Sequence, residues 1–92
     1  MRYQIDRAAA NKLHVEIANE GGMLIWVVYK SPWDYPGKFI CRPWRPWGSG
    51  AGPMNVHLAA DDLQELRGQL PHGVDRMPRN DDDDPVIVET WI

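Results

Sequence analysis

The chain has a single cysteine, Cys41, so it can build no internal disulfide and no thiolate metal cluster. It has no excess of positive charge. The formal net charge is −3 over 92 residues, which excludes a strongly basic nucleic-acid binder. It has no long apolar run. The longest, ending at Tyr29, falls far short of a membrane span. The N-terminus carries no signal-peptide pattern. A cytoplasmic protein without membrane association is the expectation. His14, His57 and His72 show no metal-ligand spacing, so no metal or other cofactor is expected and each histidine is expected at the surface or rim. A chain this short makes one small domain, in which every large aromatic weighs on stability.

What the chain does have is concentrated. Residues 24–47 hold four of the five tryptophans, two of the three tyrosines, the phenylalanine, the cysteine and four of the ten basic residues. Charge is uneven as well: residues 1–29 are neutral, residues 30–50 carry +3 and residues 51–92 carry −6, which makes for a polarised surface. Leu24 to Tyr29 is short and β-branched and reads as a central strand buried on both faces. Pro32 has no N–H and pushes Ser31 out of the right-handed helical region, so the ladder should end there. Trp33 to Gly37 then reads as a loop, with Pro36-Gly37 at the centre of a type II turn. Phe39 to Arg42 resumes as a strand that Pro43 and Pro46 are expected to break.

Residues 1–22 are ambiguous. Ile5, Ala9, Leu13 and Ile17 recur at helical spacing, with Asp6 as a cap and Gly21-Gly22 as a stop; Leu13, Val15 and Ile17 also alternate like a strand. A helix over the first part is expected. Met23, just before the strong strand, is also a candidate start, which would make 1–22 a weakly docked extension to a domain over 23–92. Residues 48–53 read as a flexible loop and Met54 to Ala59 as an alternating strand. A helix follows over 62–70. Asp62 and Glu65 have the capping-box spacing, and Leu63, Leu66 and Leu70 form one apolar stripe. Val74 to Met77 is a short strand. Asp81 to Asp84 is an acidic turn without the register of a calcium-binding loop. Val86 to Ile92 is a last strand, expected beside Leu24–Tyr29.

The strings IWVVYxxPxDYPxKF from Ile25, ADxLxELRxxLP from Ala60 and DDPVIVETWI at the end resemble, over about residues 23–92, a family of short uncharacterised bacterial and phage or prophage proteins. Relatives of that kind mostly begin near Met23. The RPWRPWGSGAG segment departs from the pattern. The resemblance implies no catalytic residues. It implies a mobile-element setting, in which small proteins serve as accessory or anti-defence modules that bind host factors.

The expected fold is α+β: a mostly antiparallel sheet of four or five strands with one amphipathic helix packed on one face. The candidate binding residues are Trp33, Tyr35, Lys38, Arg42, Trp44, Arg45 and Trp47. Loop aromatics beside arginine are typical of interfaces, although the same rings could simply cap the core. The leading function is a non-catalytic module that binds a protein partner. The alternative is a single-stranded nucleic-acid binder that stacks bases on these rings. A small enzyme built on Cys41, His57 and an aspartate ranks third. Cys41 has no helix N-terminus or elbow to activate it and reads as a small buried hydrophobe.

Overall fold

The structure, a computed structural model, describes residues 3–46, 52–79 and 85–92. The elements in chain order are β1 (Tyr3–Gln4), α1 (Arg7–Asn19), β2 (Ile25–Lys30), β3 (Phe39–Arg45), β4 (Gly52–Pro53), β5 (Val56–Ala60), α2 (Leu63–Arg67), β6 (Arg76–Met77) and β7 (Ile87–Trp91). The apolar run Leu24–Tyr29 supplies β2, the middle of the sheet. β3 pairs antiparallel on one side of it, with Val28 opposite Cys41, and β7 on the other, with Trp26 opposite Trp91. The strand order is β1-β5-β3-β2-β7-β6, and β4 joins the far end of β3. β1 lies parallel to β5, and the remaining pairings are antiparallel. The protein is thus a small α+β domain. Its four longer strands are those expected, and the two-residue strands β1 and β4 are additions.

β3 runs on through Pro43, where a break was expected. The carbonyl of Pro43 accepts a hydrogen bond from the Met54 amide at 2.9 Å, on the flank away from β2. In an antiparallel strand a residue's N–H and C=O point the same way, so the missing N–H also falls on that flank. No bond to β2 is lost, and the proline is tolerated.

Both helices begin on an aspartate cap. The Asp6 carboxylate accepts from the Ala9 amide at 2.9 Å, and Asp62 accepts from the Glu65 amide at 2.8 Å. α1 ends in a Schellman turn: Gly21, at φ 82°, bonds back to Ala18, and Gly22 bonds to Ile17. Ala10, Leu13 and Ile17 face the core, while Val15 is exposed, so helical periodicity prevails over the strand-like alternation at 13–17. α2 is shorter than the 62–70 stripe suggested. Its last turn tightens, with Gln69 and Leu70 donating three residues back to Leu66 and Arg67. Leu66 and Leu70 are nonetheless buried.

The helices cover one face of the sheet. Trp26 and Val28 of β2, Cys41 of β3 and Leu58 of β5 are sealed beneath them. The same face carries a buried charge. Glu89 of β7, 4% exposed, takes two bonds from Arg67 of α2, at 2.5 and 3.1 Å, and one from the Trp91 indole. The strand alternation places Glu89 opposite Val28, so the carboxylate points among apolar neighbours and needs the guanidinium there.

Candidate functional site

The opposite face is built from the alternate residues of the same strands: Ile25, Val27 and Tyr29 from β2, and Ile40, Arg42 and Trp44 from β3. No helix covers it. The 31–38 connection folds over one end instead. Ser31 enters this loop in the left-handed region, at φ 48°, although the following Pro32 favours extended backbone there. Its hydroxyl accepts from the Gly37 amide at 2.9 Å, and its own amide donates to Lys38 at 2.8 Å. Tyr35 to Lys38 closes as the expected type II turn, with Gly37 at φ 80°.

Two contacts pin the loop to the sheet. Arg42 donates to the Asp34 carboxylate at 2.6 Å, and the Tyr35 ring lies 4.9 Å from the His57 ring. His57 is therefore buried, not at the rim as expected, because the loop closes over it. Arg42 is 8% exposed, and its guanidinium carbon sits 5.3 Å from the centre of the Tyr29 ring, in cation–π contact.

Beyond Arg42 no helix covers the face, although Val27 and Tyr29 are each only 9% exposed among their neighbours. A groove of about 290 Å³ runs along it, lined among the described residues by Ile25, Val27, Tyr29, Trp44 and Ile87, with Arg45 and Pro46 at its end. Its walls are almost wholly apolar. The polar tips of the rings are already matched, since the Trp44 indole N–H donates to the Tyr29 hydroxyl at 3.0 Å.

The candidate residues fall into three places. Arg42, Trp44 and Arg45 meet at the groove, with Arg42 held inside the protein and Arg45 exposed. Tyr35 and Lys38 border a separate, polar hollow with Gln4, Asp61 and Glu65, and Lys38 is ion-paired with Asp61. Trp33 stands by itself on the loop, 93% exposed. Trp47 and the acidic run Asp81 to Asp84 lie outside the described residues. The groove residues Ile25, Val27, Tyr29 and Ile87 were not candidates. Alternation along β2 signalled a face, whereas Ile87 reaches it only through a register shift beside Val28 and Tyr29 that puts Ile87 and Glu89 on opposite faces, and the placement of the helices decides which face they leave uncovered.

Cys41 and His57 do not meet. Cys41 is sealed on the helix side of the sheet, and His57 lies on the other. Burial, with Glu89 nearby, pushes the Cys41 thiol well above its ordinary range and away from the reactive thiolate. Among the described residues no three His, Cys, Asp or Glu side chains gather in a way that could hold a metal ion, and no helix is long and apolar enough to cross a membrane. No protein-family model, curated protein or solved structure matches the chain.

Proposed function

We propose that this chain is a non-catalytic protein-binding module, working in the cytoplasm, that takes its partner on the open face of the sheet. One observation carries the reading: an apolar strip formed by Ile25, Val27, Tyr29, Trp44 and Ile87 lies opposite both helices. Five apolar side chains converge there on one hollow with almost no polar lining, which suits an apolar group of a partner. The Trp44 indole N–H and the Tyr29 hydroxyl are bonded to each other, so a partner can cover both rings without stranding these tips. The groove is small and open beside the ~300–1,000 Å³ typical of small-molecule sites, which suits the side chains of another protein. The nucleic-acid alternative is weaker on this geometry. Arg42 and Lys38 are engaged in ion pairs, and Arg45 leaves β3 on the face away from Trp44.

The test is affinity capture from a bacterial lysate with nuclease present. Wild-type protein should retain a protein partner that Ile87→Asp loses. Lys12→Glu, on exposed α1 surface, should retain it. Capture that vanishes with nuclease would transfer the face to the nucleic-acid reading, and equal capture by Ile87→Asp would remove the face from consideration.

A further inference from the structure

We draw no further inference here: the strongest candidate, the Trp33 ring that stands 93% exposed on the 31–38 loop, carries nothing, because nothing in the structure shows what covers it.

Discussion

Arg42 and Arg45 stand three residues apart on β3 and have opposite roles. Arg45 is exposed at the end of the groove, while Arg42 is enclosed between the Asp34 carboxylate and the Tyr29 ring. Removing the Arg42 guanidinium leaves Asp34 partly buried without its cation and releases the loop that carries Trp33. Arg42→Ala should therefore cost about 2–3 kcal/mol in urea denaturation, the cost of breaking a largely buried pair discounted for partial exposure. Arg45→Ala should stay within ~0.5 kcal/mol of wild type. His14 makes a second prediction at this scale. Its Nδ1 accepts the Trp26 indole N–H at 3.1 Å, and burial lowers its pKa from the ordinary 6.5. The folded state thus binds this proton less readily than the unfolded chain does. The stability it contributes is fully present above the unfolded pKa and is lost as pH falls through the window between the unfolded and the lower folded value. The stability difference between wild type and His14→Ala should shrink between pH ~7.5 and ~5. A difference that is flat across this range would remove His14 as the acceptor for Trp26.

At the scale of elements, the short helix α2 is held to the sheet in two ways. Leu66 is fully buried, and Leu66→Ala should cost about 2–5 kcal/mol, as for other leucines truncated in a core. Arg67 bonds Glu89 across the helix–strand junction, and this hydrogen bonding raises the Arg67 pKa. Arg67→Ala should cost about 2–3 kcal/mol, below the ~3–5 kcal/mol of fully buried pairs because Arg67 itself is a quarter exposed. Thermal and urea unfolding measure both variants, and a change under ~0.5 kcal/mol for Leu66→Ala would mean the stripe does not carry the packing.

For the whole molecule, the question is how residues 1–22 relate to the rest. α1 places Ala10 and Ile17 in the same core as Leu24, Trp26 and Leu58, and β1 adds to the edge of β5. The turn after α2 is tied to α1, since Asn11 accepts from the His72 amide at 2.8 Å and Arg7 bonds the His72 ring. A domain of this size has little core to spare. Deleting residues 1–22 should uncover Trp26 and Leu24 and abolish cooperative unfolding, and in the full chain the amides of 10–19 should exchange about as slowly as those of 25–29. A truncated chain that unfolds cooperatively would show that the segment is an extension after all.

The short-range features were legible in the sequence. The caps at Asp6 and Asp62, the Gly21-Gly22 stop, the Pro36-Gly37 turn, the central strand and its pairing with the last strand each have a visible signal in side-chain and backbone chemistry. Caps and turns depend on groups within a few residues of one another, and the strand pattern on which neighbours are apolar. The leucine stripe of α2 is of the same kind. The tertiary structure decided the rest. Pro43 stays within β3 because its missing N–H falls on the flank that faces Met54. The alternation at 13–17 gives way to a helix because Leu13 and Ile17 have a core to face and Val15 does not. Arg42 and Arg45 leave opposite faces of β3, and Arg42 is enclosed because Asp34, eight residues away in sequence, is brought over its face by the loop. β2 is buried on both faces, as its run of apolar residues suggested, but that Ile25, Val27, Tyr29 and Ile87 line a shallow groove is likewise fixed by where the two helices settle. Every strand of a sheet presents two faces, and its own residues do not say which of them the rest of the chain will cover.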